Sequence, residues 1–267
     1  MGDGKALRVL DAAKALLVAF GYRKVTVDDV ARRAGVGKGT VYLCWPSKRE
    51  LFAAVLTRDA AELLGEQLAA LRADPAEVRL HRAMRRSFLL VMGRPLAKAL
   101  YIGDFDVLGE LATMSQTGRQ FAVGKMETTK RYLTVLYAHG LLSDDPATEP
   151  ILSYRLSAAV TGSYLLEGIG GAADFDLADK ADALATTLRR AFEPTTEPTL
   201  AMLRGAAAEL IDLYQQWMTD LTDSLPVSAR AEGVQHGAGS TVRRDGNIAD
   251  HPVWKGHRRP VESDRSR

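Results

Sequence analysis

Hydrophobic positions recur at helical spacing along most of this chain, with no strong strand alternation and no internal repeat. Leu7, Leu10, Ala13, Leu17 and Phe20 make one stripe, which predicts a helix from about Gly4 to Phe20, ended by Gly21-Tyr22. Val27, Val30, Ala31 and Ala34 follow at i, i+3, i+4 and i+7, a short second helix that Thr26 caps and Gly35 ends. Gly37 opens a third segment in which Val36 and Val41 turn inward while Lys38, Gly39, Thr40 and Tyr42 face outward. Ser47-x-x-Glu50 is a capping box and starts a long helix reaching about Leu71.

Beyond it the pattern stays helical. Asp74-Pro75 opens a helix to about Met92, and Gly93-Arg94-Pro95 breaks it. A short helix to Leu100, another near Phe105–Leu111 and a longer one from Gln116 to Ala138 come next. Turn residues Ser143-Asp144-Asp145-Pro146 precede helices over Ala147–Glu167 and Leu177–Phe192. After the Pro194 to Pro198 linker, a last helix spans about Thr199 to Leu221. From about Leu225 the chain is rich in Gly, Ser, Arg, His and Asp, a composition expected to be disordered. The fold class expected is all-α, with domains at 1–50, 51–224 and a basic tail at 225–267.

Charge is distributed unevenly along this frame. Residues 1–58 carry 11 Lys and Arg against 5 Asp and Glu; residues 59–225 carry 16 against 23; the tail carries 8 against 5. A basic amino-terminal region suits a phosphate-rich partner, and an acidic middle region does not. No stretch approaches the length of apolar chain that spans a membrane. The amino terminus does not read as a signal peptide, because Asp11 and Lys14 interrupt any apolar core. A single cysteine, Cys44, excludes an internal disulfide and fits a reducing cytoplasm. Lys48 and Arg49 stand near enough in sequence to activate its thiol, but a tolerated small residue is the simpler reading. HExxH, GxSxG, GxGxxG, P-loop and paired Cys-x-x-Cys motifs are absent, and His81, His139 and the tail histidines lack metal spacing. Neither an enzyme nor a cofactor or metal protein is expected.

Residues 25–44 have the form of a helix-turn-helix, whose second helix lies in the major groove of DNA. Thr26, Ala31, Gly35-Val36, Gly39-Thr40, Val41-Tyr42, Trp45 and Ser47-Lys48 together resemble the TetR family of bacterial transcription regulators. The resemblance covers about residues 6 to 56. Gly37 departs from it where Ser or Thr is frequent, and Cys44 where His or Tyr is frequent.

The resemblance implies a three-helix DNA-binding domain followed by a larger helical domain for effector binding and dimerisation. Lys38, Gly39 and Thr40 are the expected base-reading positions, with Gly39 allowing close backbone approach. Tyr42 and Lys48 are expected at phosphates, Thr26 through its helix-start amide, and Arg32 or Arg33 at backbone or base. Trp45 is expected to pack between helices.

An apolar small-molecule effector is implied for the middle domain. Phe88, Met92, Tyr101, Phe105, Met114, Phe121 and Met126 are the expected lining, with ordinary core as the competing reading for each. Glu167 is a carboxylate for a cationic ligand or for solvent. Homodimerisation is implied through Ile151, Tyr154, Ala158, Gly162, Leu166, Leu184 and Leu188, so that two recognition helices meet two half-sites of a palindromic operator on double-stranded DNA. The function implied is a cytoplasmic repressor released by its effector; a ligand-independent or architectural DNA-binding protein is the alternative.

Overall fold

The computed structural model describes residues 3–108, 111, 116–169, 175–223 and 225, with side chains for all of these except 3, 105, 106 and 116–126. The tail expected from residue 225 onward lies outside this set apart from Leu225 itself. The described residues are helical and contain no strand, so the all-α expectation holds. No helix among them is long and apolar enough to cross a membrane.

The first three helices are α1 (Asp3–Lys24), α2 (Val27–Ala34) and α3 (Lys38–Cys44). The helical backbone of α1 breaks at Gly21, whose φ of 74° belongs to the left-handed region that glycine enters without a Cβ penalty. The chain then makes one more turn through Lys24. Thr26 caps α2 by accepting from the Asp29 amide at 3.2 Å, and its own amide donates to Asp29 Oδ2 at 3.0 Å. This capping box joins Thr26 to Asp29. Gly35 closes α2 at φ 65°, and the Val36 amide returns to the Ala31 carbonyl at 3.0 Å.

Helix α4 (Lys48–Ala73) begins at Ser47, whose hydroxyl accepts from the Glu50 amide at 3.1 Å. Its first turns, with Leu51, Phe52 and Val55, belong to a core shared with α1, α2 and α3. The Tyr22 and Phe52 rings meet edge to face there, 5.6 Å apart. Leu71, two residues before the far end, belongs to a second core. One unbroken helix thus joins both cores.

Asp74 and Pro75 produce a 3-10 turn (Pro75–Val78) and not the continuous helix expected to Met92. The Asp74 carboxylate accepts from the Ala76 amide at 2.9 Å, and Arg79 adopts ψ 135°, which ends the turn. Helix α5 (Leu80–Met92) then starts afresh, followed by α6 (Pro95–Ile102), α7 (Phe105–Leu108) and α8 (Gln116–Ala138). Helix α9 (Ile151–Gly168) begins four residues later than expected. The residue before a proline resists the α conformation, and Asp145 gathers the Ala147 and Glu149 amides into a turn ahead of Pro150.

The last helices are α10 (Leu177–Phe192) and α11 (Leu200–Asp223). Helix α10 packs along α5, and α11 packs along α4 and the 3-10 turn. The second core gathers Phe88, Tyr132, Leu156, Tyr164, Leu188 and Leu210 from these helices. Burying each such side chain stabilises the fold by about 1.5–3 kcal/mol.

Candidate nucleic-acid interface and effector cavity

Helix α3 is held by one buried residue, Val41, while Trp45 closes its end at 2% exposure. Everything else on its outer side stays available. Lys38, Gly39 and Tyr42 are exposed, and Thr40 is half-buried. Leu43, which the sequence did not single out, is 85% exposed and carries the most prominent apolar group on the helix. An exposed leucine at that place suits contact with a thymine methyl. Its signal was present in sequence, since Leu43 falls off the apolar face that Val41 defines.

Several of the expected contact residues already have protein partners. Lys38 Nζ donates to Asp28 Oδ2 at 2.8 Å, and that hydrogen bond and charge hold the ammonium above its ordinary range. Arg32 Nη2 donates to Asp29 Oδ1 at 2.5 Å, while Arg33 is exposed. The hydrogen bonds from the Thr26 hydroxyl and amide hold the Asp29 carboxyl below its usual value, with Arg32 adding to the effect. Lys48 stands 4.2 Å from the Tyr22 ring centroid, and burial lowers its pKa. Its ammonium is therefore tied to the domain that it was expected to dock.

Gly37 and Gly39 leave α3 bare on its outer side. A Cβ at Gly37 would meet only Thr40 Oγ1, at 3.9 Å, and one at Gly39 would meet nothing within 4 Å. No side chain caps α3, and the Thr40 amide returns to the Gly37 carbonyl at 2.9 Å. The Cys44 side chain is half-buried and packs against the first core.

A cavity of about 270 Å³ lies between α4, α5, α6, α8, α9 and α11. Leu63, Leu96, Leu100, Leu156 and Val160 supply apolar wall. Tyr101, Tyr132, Tyr164, Tyr214 and Trp217 supply rings, and Asp59, Gln67, Ser87 and Thr128 add polar groups. Tyr164 lies 3.4 Å from the Ser87 hydroxyl and 4.6 Å, centroid to centroid, from Tyr101. Burial pushes the Tyr132, Tyr164 and Tyr214 hydroxyls well up, so all three stay neutral.

Of the three expected lining residues whose side chains are described, Phe88, Met92 and Tyr101, only Tyr101 lines this cavity. Phe88 is buried against Tyr164, with ring centroids 5.3 Å apart, and Met92 packs against the second core. Met114 and the side chains of Phe105, Phe121 and Met126 lie outside the described residues. The sequence missed Asp59, although Leu56, Ala60 and Leu63 place it on an apolar helical face where a carboxylate is out of pattern. It also missed Tyr164, Tyr214 and Trp217, because helices distant in sequence converge there. Glu167 pairs with Lys180 at 3.0 Å and is not among the cavity's lining.

The dimerisation residues divide in two. Ile151, Tyr154, Ala158 and Leu166 are exposed, Gly162 is half-buried, and Leu165 and Ile169 extend the same apolar face of α9. Leu184 and Leu188 are buried inside the protomer, because the apolar face of α10 is turned onto α5.

Residues 9–55 match the family model of bacterial regulatory proteins, tetR family. Over these residues the chain is similar to the TetR family. An HTH-type transcriptional regulator of Mycobacterium tuberculosis is 44% identical over 59 residues, covering 22% of this chain and 31% of the relative. The regulator YhgD of Bacillus subtilis is 33% identical over 125 residues, 47% of this chain and 62% of the relative. The chain thus spans less than two thirds of the length of either. A regulator from Saccharomonospora viridis, solved with choline, superposes at TM-score 0.52 and 20% identity over 71% of this chain and 97% of its own. That likeness shows a shared fold that extends beyond the amino-terminal domain.

Proposed function

We propose that the protein is a cytoplasmic, homodimeric transcriptional regulator of the TetR family, a repressor released from a palindromic operator by a small-molecule effector. Residues 1–50 read DNA, and residues 51–224 bind effector and dimerise. The observation that carries this reading is the outer face of α3, where Lys38, Gly39, Tyr42 and Leu43 stand exposed on a helix-turn-helix. Thr40 and Arg33 add phosphate and base contacts. The choline-bound neighbour supports a small molecule as the cavity's occupant.

Two features support dimerisation and release. The apolar face of α9 has no partner among the described residues, and a palindrome needs two recognition helices. Leu96 of α6 belongs to the first core and also lines the cavity, so a ligand that moves α6 disturbs the packing of the DNA-reading helices. The ligand shifts the equilibrium only by its difference in affinity for the two conformers.

Selection of sites from random double-stranded DNA at near-physiological salt tests the reading. Enrichment of a palindrome with two equal half-sites is the expected result. Binding without enrichment would make the protein an architectural DNA binder and overturn it.

A further inference from the structure

Asp59 is the one charged side chain in the described lining of the cavity. It is 4% exposed, and a carboxylate so far from water needs a counter-charge. That charge comes from the DNA-reading domain: Lys14 of α1 places Nζ 2.5 Å from Asp59 Oδ1. The same ammonium lies 3.3 Å from Glu62 Oε2, at the solvent edge of α4. Lys14 therefore has a second carboxylate to turn to.

The rest of the lining selects the sign of a ligand's charge. It contains no Lys, Arg or His among the described residues, so an entering anion would lose its hydration and gain no counter-ion. Tyr101, Tyr132, Tyr164, Tyr214 and Trp217 contribute rings, whose faces attract cations.

We propose that the cavity takes a small organic cation, an ammonium group on an apolar body, whose charge meets Asp59 in place of Lys14. The proposal rests on the reading of the cavity as an effector site and names its ligand class. Charge at Asp59 stays balanced, since one cation leaves as the other arrives. Lys14 turns to Glu62 and water, and α1 loses one ionic tie to α4. Two ties remain, Lys14 to Glu62 at 3.3 Å and Arg58 to Asp11 at 2.8 Å. The cation thus prefers the conformer in which Lys14 has let go of Asp59, which is the differential affinity that a population shift requires.

Calorimetric titration of the full chain with phenethylammonium, phenethyl alcohol and phenylacetate at millimolar concentration separates charge from shape. The ammonium is expected to bind at least about tenfold more tightly than the other two, and Lys14→Met to tighten it further by removing the competitor. The Lys14→Met, Asp59→Asn double variant carries neither charge of the pair, so it tests the site even if one of the single variants fails to fold. It is expected to bind all three probes alike. If the alcohol or the carboxylate binds the wild type as well as the ammonium does, or the double variant keeps the preference, the cation proposal falls and the effector cavity stands. If no probe binds the wild-type chain, both fall.

Discussion

Lys38 on α3 is held by Asp28 on α2, the two charges 2.8 Å apart on the face expected to meet DNA. Both side chains are more than half exposed, so the pair contributes little to stability. Its consequence is for binding, since a phosphate must compete with Asp28 for the ammonium. Asp28→Asn is expected to tighten operator binding about three- to tenfold at moderate salt and to steepen the salt dependence by about one phosphate equivalent. Lys38→Ala is expected to weaken binding, and adding Asp28→Asn to it is expected to restore only the small part due to repulsion. Fluorescence anisotropy over a salt series checks this. Equal effects of Asp28→Asn with and without Lys38 would show that the pair does not govern the contact.

Gly39 separates stability from recognition. In the free protein a Cβ there meets nothing within 4 Å, and alanine is the better helix former by about 1 kcal/mol. Gly39→Ala is therefore expected to raise the unfolding free energy by about 0.5–1 kcal/mol. If α3 approaches the groove as closely as proposed, the same methyl group blocks contact, and operator affinity falls at least about tenfold. A stabilised variant with unchanged affinity would remove Gly39 from the interface.

The amino-terminal domain was legible because its signals are local. Thr26, Gly35 and Ser47 act within a few residues of where they stand, and the apolar period of Val27 to Ala34 corresponds to the buried face of α2. The cavity was not legible, because it forms where α4, α5, α6, α8, α9 and α11 converge. Sequence spacing assigns Phe88 to an apolar face without saying whether that face meets a void or the Tyr164 ring. Leu184 and Leu188 show the same limit: their period marks a buried face, and only the position of α5 decides that the burial is within one protomer.

Helix α9 offers Ile151, Tyr154, Leu165 and Ile169 to solvent, with Tyr154 at 70% and Ile169 at 76% exposure. None of them supports the protomer core, so charges placed there leave the fold intact. Tyr154→Glu with Leu165→Glu is expected to give a monomer by analytical ultracentrifugation, with a melting temperature that no longer rises with protein concentration. Operator affinity falls with it, because one recognition helix reads one half-site. A double variant that still sediments as a dimer would move the interface away from α9.

Glu193 joins the start of α5 to the end of α10 from a side chain only 2% exposed. It accepts from the His81 amide at 2.9 Å, lies 2.8 Å from His81 Nδ1, and accepts from Arg79 Nη2 at 3.0 Å. Burial alone would raise its pKa, but the His81 hydrogen bonds and the His81 and Arg79 charges outweigh that and hold the carboxyl below its ordinary 4.5. A depressed carboxyl stabilises the fold fully above its unfolded pKa, and that contribution is lost as pH falls through the folded value. Glu193→Gln removes the buried carboxylate from Arg79 and His81 while Arg79 keeps Glu197 at 2.6 Å, so it is expected to cost about 1–3 kcal/mol near neutral pH. The difference from wild type should then shrink below about pH 4.5, as the native carboxyl protonates and wild type loses the same interaction. Urea unfolding of both proteins from pH 7 downward measures it. A gap that stays constant into acid would mean that Glu193 acts by shape and packing, and that its charge contributes nothing to the junction.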